Sequence, residues 1–231
     1  MTQTIARRRP AVPTRGEDAR RRILEAALEI FAAEGYEGTS TRQLAERAGV
    51  NLPAIQYYFG SKEGLYRAVI GDIVEHTEMH LAALVPTVKA AIAAPDAHTE
   101  DLLELLCAML ESFVALVTGG PQVESRRLLF ARAEVERTPG LDYLHESGRR
   151  QIFQPCLGLV GRLLDKPTDD PDMVFRTLTL IGQVVIFCNN GVRHVMKSPE
   201  LSEENVRTIQ VLVRAQTQAV IRAALSQAKA A

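Results

Sequence analysis

Residues 39–62, TSTRQLAERAGVNLPAIQYYFGSK, decide the fold because they predict two short helices joined by a tight turn. Thr41 is a good N-cap residue for the first helix. Gly49 can take the positive φ with which such a helix ends. The apolar face of this helix consists of Leu44, Ala45 and Ala48.

The second helix, residues 52–58, has too few apolar residues to be stable alone. Asn51 can cap it, and Pro53 is tolerated in its first turn, where the missing N–H would have no partner anyway. Ile55 and Phe59 share its inner face, and its outer face shows Pro53, Ala54, Gln56 and Tyr57. A short helix that leans on its neighbours and exposes Gln and Tyr is typical of one that enters the major groove of DNA.

The order of these residues resembles a known family. The segments TRQLAERAGV (41–50) and YYFGSKEGL (57–65), preceded by RILEAALEIF (22–31) and GYEGT (35–39), look like the DNA-binding head of the TetR family of bacterial repressors. The resemblance covers residues 17–77. A weaker resemblance to the CecR-like branch rests on residues 54–66 and on GQVVIF at residues 182–187.

The resemblance implies a set of DNA contacts. Thr41, Tyr58 and Lys62 are expected to touch phosphates. The groove is expected to be faced by Arg42, Leu52, Pro53, Ala54, Gln56 and Tyr57. Gln56 departs from the family pattern, in which many members have Tyr, and a glutamine can pair bidentately with adenine. We therefore expect Gln56 to read a base.

The charge of the chain is unevenly distributed. The 231 residues carry a net charge of −1, but residues 1–22 hold seven arginines and two acids, a balance of +5. This leaves −6 for the rest, so a basic arm (residues 1–16) precedes a mildly acidic body. Such an arm suits contact with phosphate, and the alternative is a solvated tail.

The composition favours a cytoplasmic protein. No apolar core follows the N-terminal arginines as in a signal peptide, and no apolar run reaches the length of a membrane span. The cysteines, 107, 156 and 188, are odd in number and far apart, which indicates a reducing compartment.

The remaining chain predicts an all-α fold, with residues 17–77 as a helix-turn-helix head and residues 78–231 as a larger effector-binding and dimerisation domain. Helices are expected at 17–34 (ending at Gly35), 61–85 with a possible extension over 87–94, 100–118 (capped by Thr99), 122–137, 141–165 (broken at Pro155), 172–196 and 202–228 (capped by Ser202).

The last two helices are rich in apolar residues, and the first of them is apolar over much of its circumference. They carry Phe175, Leu178, Ile181, Val185 and Val192, then Val206, Ile209, Val213, Val220 and Ile221. Such helices either lie in the core of one subunit or form an interface. The family resemblance implies a four-helix bundle between two copies, and Val213 is expected within it.

Residues 100–195 are expected to form a ligand pocket, because family members sense small molecules and polar residues lie here among apolar ones. The candidates are Phe113, Phe130, Arg132, Glu134, Tyr143, His145, Phe153, Phe187, Asn189 and His194. The alternative is that they pack the core. The helix that starts at Ser61 is the expected lever between ligand and DNA.

Other chemistries lack their patterns. His76 and His80 share a helix face, but no third metal ligand accompanies them. The loop 165–172, DKPTDDPD, lacks the Gly and the final Glu of an EF-hand. No phosphate-binding loop or nucleophile elbow is present in the sequence. We therefore expect no catalytic residue, metal or cofactor.

Together these patterns predict a ligand-responsive transcriptional regulator. The expected protein is a dimeric repressor that binds a near-palindromic double-stranded operator and is released by a small-molecule effector. Two alternatives stay open: an all-α enzyme in which the helix-turn-helix is only a packing motif, and an adaptor that binds another protein through the same face.

Overall fold

The computed structural model describes residues 15–188, 195 and 201–230, and these residues contain helices and no strand. The predicted all-α fold is therefore confirmed. The α-helices are α1 (Arg15–Gly38), α2 (Thr41–Ala48), α3 (Leu52–Phe59), α4 (Lys62–Leu81), α5 (Leu84–Ala93), α6 (Thr99–Thr118), α7 (Val123–Glu136), α8 (Leu141–Gly148), α9 (Gln154–Leu164), α10 (Pro171–Val185) and α11 (Glu203–Ala230). A π-helix occupies Arg149–Phe153, and a 3₁₀-helix occupies Ile186–Cys188.

The chain forms two compact units, one ending at Val69 and the other starting at Ile70. The division falls inside α4, ahead of the expected boundary at residue 77. Because a single helix runs through the division, no linker-like stretch of sequence marks it.

The first unit is built on α1, which packs against α2, while α2 packs against α3. Its core is formed by one face of each helix, with Ile23, Ala27, Phe31, Leu44, Ala45, Ala48 and Ile55 all buried. The ring of Phe31 meets that of Tyr66 edge-on, with centroids 4.9 Å apart. Gly35, the expected end of α1, is instead a kink (φ 80°, ψ 171°) inside it.

Two expected caps are wrong by one residue. Ser40, not Thr41, caps α2: its Oγ accepts from the Gln43 N–H at 3.2 Å, and its own N–H donates to the Gln43 side chain at 2.8 Å. This reciprocal capping box leaves Thr41 as the first helical residue. Likewise His98 precedes α6, and Thr99 begins it.

Other local expectations are confirmed. Asn51 Oδ1 accepts from the Ala54 N–H at 3.1 Å, and Ser202 Oγ accepts from the Asn205 N–H at 3.2 Å. Gly49 ends α2 in the left-handed conformation, at φ 64°. These residues act through bonds that span three positions, so their roles follow from the local sequence.

The helix expected at 61–85 is two helices. α4 ends at Leu81, and Pro86 lies in the first turn of α5, where a proline removes no intrahelical bond. The break expected at Pro155 is a π-helix just before α9, whose first turn contains this proline.

The core of the second unit surrounds α6, which contacts α5, α7, α9, α10 and α11. Its buried residues cover more than one face and include Leu102, Leu103, Leu106, Met109, Leu110 and Val114. Ion pairs fix α11 along it: Arg214 contacts Glu104 at 2.7 Å and also Glu111, and Arg222 contacts Glu100 at 3.0 Å.

The apolar faces of α10 and α11 divide between the core and the surface. Val213, expected at an interface, is only 2% exposed and belongs to the core of its own subunit, as do Ile209 and Ile221. The opposite side of α10 is open, with Phe175 66% and Leu178 50% exposed. α10 ends at Val185, and the rest of the helix expected to reach residue 196, including Val192, lies outside the described residues.

One expectation about membranes needs correction. Pro171–Cys188 is long and apolar enough to cross a membrane by length and composition, with a mean hydropathy of 1.4 over 18 residues. A single such helix is weak evidence for a span, because the mostly buried core helix of a soluble protein passes the same test.

Candidate nucleic-acid interface and effector cavity

Helix α3 presents an exposed, uncharged surface. Leu52, Pro53, Gln56 and Tyr57 are exposed, Tyr57 by 83%. Ala54 and Tyr58, which were expected with them, are half-buried. No carboxylate occurs in the sequence from residue 51 to residue 61, so α3 offers no charge repulsion to a polyanion.

The helix is held in place from behind and at both ends. Ile55 is buried, Asn51 caps the start, and Gly60 at φ 75° donates its N–H to the Gln56 carbonyl at 2.9 Å. Helix α2 is tied to α1 by Arg47, whose guanidinium lies 2.6 Å from Glu29, and by Gln43, which donates to Glu34 at 3.0 Å.

Lys62 is a positioned cation beside this surface. Its Nζ lies 4.6 Å from the ring centroid of Tyr36 and 3.4 Å from the carbonyl oxygen of Glu37. Burial raises the pKa of the Tyr36 hydroxyl, with smaller effects of Glu63 and Glu37, so the ring stays neutral. Among the described residues, no carboxylate lies within ion-pair distance of Lys62, and its charge is available to a phosphate.

Arg42 and Thr41 are less available for contacts with DNA than Lys62 is. Arg42 lies 3.2 Å from Glu46, but both side chains are largely exposed, and such a pair contributes only about 0–1 kcal/mol. A phosphate or a base edge can therefore displace Glu46. Thr41 is half-buried in the first turn of α2.

Arg20 is a further cation beside α3 that the sequence did not indicate. Its guanidinium lies 5.4 Å from the ring centroid of Phe59, the last residue of α3. The contact joins α1 to α3, and no local spacing predicts it. From the sequence, Arg20 was only one of the arginines that make the N-terminal region basic.

The second unit contains an open cavity of about 810 Å³. It is lined by α4, the end of α6, the following loop, and the start of α7 and of α11. The lining residues are His76, His80, Ala115, Leu116, Thr118, Gly119, Gly120, Pro121, Gln122, Val123, Glu124, Leu201, Glu203, Val206, Arg207 and Gln210. None of the ligand candidates from the sequence is among them.

Those candidates lie elsewhere. Phe130 and Tyr143 are exposed, while Phe113 and Phe187 pack against the core. The polar candidates bond to nearby partners: Arg132 to Glu136 at 3.2 Å, and His145 to Glu134 at 2.5 Å. Phe153 is half-buried in the π-helix, and Asn189 and His194 lie outside the described residues. The cavity forms at helix ends and in a loop, and helical periodicity in the sequence does not predict such a position.

The two histidines of α4 have separate partners. His76 Nε2 lies 3.3 Å from Arg126 Nη1, and His80 Nε2 lies 3.0 Å from the Ser112 carbonyl oxygen. Among the described residues, no three metal-ligating side chains form a group. The thiols of Cys107, Cys156 and Cys188 are free, and burial raises the pKa of Cys156 to about 12 and that of Cys107 to about 11, so both are unreactive.

Comparison with known proteins agrees with this architecture over both units. Residues 23–69 match the family described as "Bacterial regulatory proteins, tetR family". Residues 102–224 match "HTH-type transcriptional dual regulator CecR, C-terminal domain". The second match alone covers more than half of the chain.

Individual relatives extend the similarity to nearly the whole length. CecR from Shigella flexneri is 29% identical over 182 residues, 77% of this chain and 79% of that protein. A TetR-like regulator from Rhodococcus sp. RHA1 shares the fold, with a TM-score of 0.61, 18% identity, and coverage of 91% of this chain and 99% of that one. FadR from Bacillus subtilis, solved with stearoyl-CoA, gives a TM-score of 0.57 at 16% identity, covering 85% and 96% of the two chains.

The head and the larger helical part thus match the two halves of one kind of protein. The chain belongs to the TetR family of bacterial transcriptional regulators and carries a CecR-type C-terminal domain.

Proposed function

We propose that this protein is a transcriptional repressor that binds a near-palindromic operator as a homodimer and is released by a small-molecule effector. The observation that carries the DNA-binding part is the exposed, carboxylate-free surface of α3 with Lys62 held beside it. A regulator of this kind works where the DNA is, in the cytoplasm, and needs no catalytic residue.

In this proposal the contacts divide by chemistry. Thr41, Tyr58 and Lys62 bind phosphates, which fixes the position of the head on DNA. The groove is read by Arg42, Leu52, Pro53, Ala54, Gln56 and Tyr57. Gln56 is the residue among them best suited to specify a base, since its amide can both donate to and accept from adenine.

A second copy of the chain is the partner proposed for α10 and α11. Phe175, Leu178, Val185 and Ile186 line one side of α10 and its 3₁₀ extension, and all four are exposed. Leu212 and Val220 add exposed apolar surface on α11. One recognition helix is too small to specify a long site, and two related by a two-fold axis read half-sites about one DNA turn apart.

The effector site in this proposal is the 810 Å³ cavity of the second unit. Its volume lies within the range of small-molecule sites. FadR, which has the same fold, was solved with stearoyl-CoA, an example of this architecture binding a small molecule. α4 contributes His76 and His80 to the cavity wall and also forms part of the first unit, so it is the proposed lever.

The test is a mobility shift with DNA from the promoter of the protein's own gene, measured over a range of salt concentrations. Affinity should fall steeply as salt rises, because bound phosphates release counterions. Selection of bound sequences from random DNA should then return a near-palindrome. Absence of any sequence preference in that selection would contradict the proposal and leave an adaptor or an enzyme.

A further inference from the structure

The hydrogen-bond partners of the two histidines on the cavity wall show which ring nitrogen donates and which accepts. A guanidinium N–H can only donate, so His76 Nε2, 3.3 Å from Arg126 Nη1, must accept. The pKa of His76 is lowered by burial and then by Arg126, which favours the neutral ring. In that ring the proton is on Nδ1. His76 therefore has one N–H donor left for another partner.

His80 has the opposite hydrogen-bond role: its Nε2 donates, whereas Nε2 of His76 accepts. The Ser112 carbonyl can only accept, so His80 Nε2 donates to it. Its Nδ1 is an acceptor when the ring is neutral and a second donor when the ring is protonated. Its Nε2 therefore already has a partner, and only Nδ1 is left for a ligand.

Arg126 does not line the cavity itself, but it bonds to His76 and Pro121, which do, and its surroundings do not balance its positive charge. Its Nη1 donates to the Pro121 carbonyl at 2.9 Å as well as to His76, while its Nε is buried without a partner. Among the described residues, no carboxylate lies within ion-pair distance of Arg126. The charge of Asp72 raises the pKa of Arg126, but from a greater distance. A half-buried cation in this state is costly unless an anion approaches it.

The two carboxylates on the cavity wall already have partners. Glu124 lies 2.7 Å from Arg127, and Glu203 lies 3.4 Å from Arg207. Neither leaves an unbalanced negative charge in the lining. Helix α7 begins on the same wall at Val123 without a side-chain cap, so the positive end of its dipole is also there.

The remaining wall is apolar, with Ala115, Leu116, Val123, Leu201 and Val206. We propose that the cavity binds a small monoanionic carboxylic acid with an apolar body. The carboxylate faces His76 and the start of α7, and the apolar body lies along α6 and α11. This inference rests on the proposed function, in that it takes the cavity as the effector site.

Calorimetric titration of the full chain with octanoate and octanamide tests the proposal, because the two probes share size and shape and differ in charge. Octanoate should bind at least about tenfold more tightly, the factor expected from a hydrogen bond to a charged group. The substitution Arg126→Met should abolish this preference, and Arg126→Lys should keep it. Arg132→Met is the matched control on α7, because Arg132 pairs with Glu136, whereas Arg126 bonds to His76 and Pro121 of the cavity wall.

A second pair of variants tests the same geometry without removing the cation. Gln in place of His76 can accept from Arg126 with its oxygen and donate with its amide, so His76→Gln should keep the preference for octanoate. His76→Leu should lose it. Melting curves followed by circular dichroism identify any variant that fails to fold. If the variants at one of the two positions, Arg126 or His76, do not fold, the variants at the other position test the proposal.

Equal affinity for both probes, no heat with either probe, or an unchanged preference in folded Arg126→Met would overturn the proposal. Its failure is distinguishable from failure of the proposed function. If octanoate binds with the expected preference but leaves the mobility shift unchanged, the ligand class stands and release by this cavity is wrong. If only neutral compounds release DNA, release stands and the ligand class is wrong.

Discussion

Gln56 is exposed on α3, as are Leu52 and Pro53 one turn earlier in the same helix. We expect Gln56→Ala to relax the sequence preference at one operator position. The loss of a bidentate contact to adenine should cost roughly 1–3 kcal/mol at the cognate site. Binding to the selected sequence and to its single-base variants measures this.

Gln227→Ala, which removes an exposed glutamine from α11, is the control and should leave the preference unchanged. A Gln56→Ala protein with the original preference would show that this residue reads no base.

Lys62 should act on all DNA sequences alike, because it is placed to meet a phosphate. Lys62→Ala should weaken cognate and unrelated DNA by the same factor and lower the slope of log affinity against log salt by about one. Arg20→Ala should do the same, since its guanidinium lies over Phe59 at the end of α3. The measurement is a series of binding curves at several salt concentrations.

Lys89→Ala is the matched control, because Lys89 is exposed on α5 of the other unit. An unchanged salt slope in Lys62→Ala would mean that Lys62 does not neutralise a phosphate in the complex.

At the scale of an element, α10 presents two apolar sides. One side, with Met173, Thr177, Leu180 and Val184, is buried in its own subunit, and the other, with Phe175, Leu178 and Val185, is exposed. Exposed apolar residues at i, i+3 and i+10 form a continuous stripe on a helix. Such a stripe is typical of a helix that packs against another copy.

We expect Leu178→Glu to give monomers with little specific DNA affinity. The charge would be buried without a partner in the dimer, which is strongly unfavourable, and a monomer reads only one half-site. Light scattering measures the mass, and a mobility shift measures the affinity. Val135→Glu, at a site 84% exposed on α7, should change neither. Unmutated protein that is monomeric at micromolar concentration would contradict the dimer.

At the scale of the whole molecule, release requires that the effector bind the DNA-incompetent arrangement more tightly. A ligand with equal affinity for both arrangements shifts nothing, and a shift from 1:99 to 99:1 needs about a 10⁴-fold difference. The cavity wall includes two residues of α4, so a ligand there can bias the position of this helix.

Ligands that raise the melting temperature of the free protein should therefore also lower its DNA affinity. A ligand present at 100 times its dissociation constant stabilises the folded state by about 2.7 kcal/mol, which a thermal melt detects easily. The same compounds are then added to a mobility shift. If stabilising compounds consistently leave DNA binding unchanged, the protein is regulated in another way.

The sequence by itself determined the helices, the head and the family. Local periodicity and residues such as Gly49, Asn51 and Ser202 placed most helices, because a cap or a turn needs bonds over only three or four positions. The ordered motif from residue 22 to residue 65 then identified the head, since its residues are contiguous in the chain.

The tertiary structure decided which apolar residues lie inside and where a ligand can enter. Val213 and Leu178 are both apolar on apolar helices, yet the first is buried and the second exposed. A helix that is apolar on two sides has no periodic signal for the core side, so only its neighbours decide. The contacts Arg20–Phe59 and Arg126–His76 join helices far apart in sequence, and the cavity opens where helices end, because these arrangements depend on packing and not on local spacing.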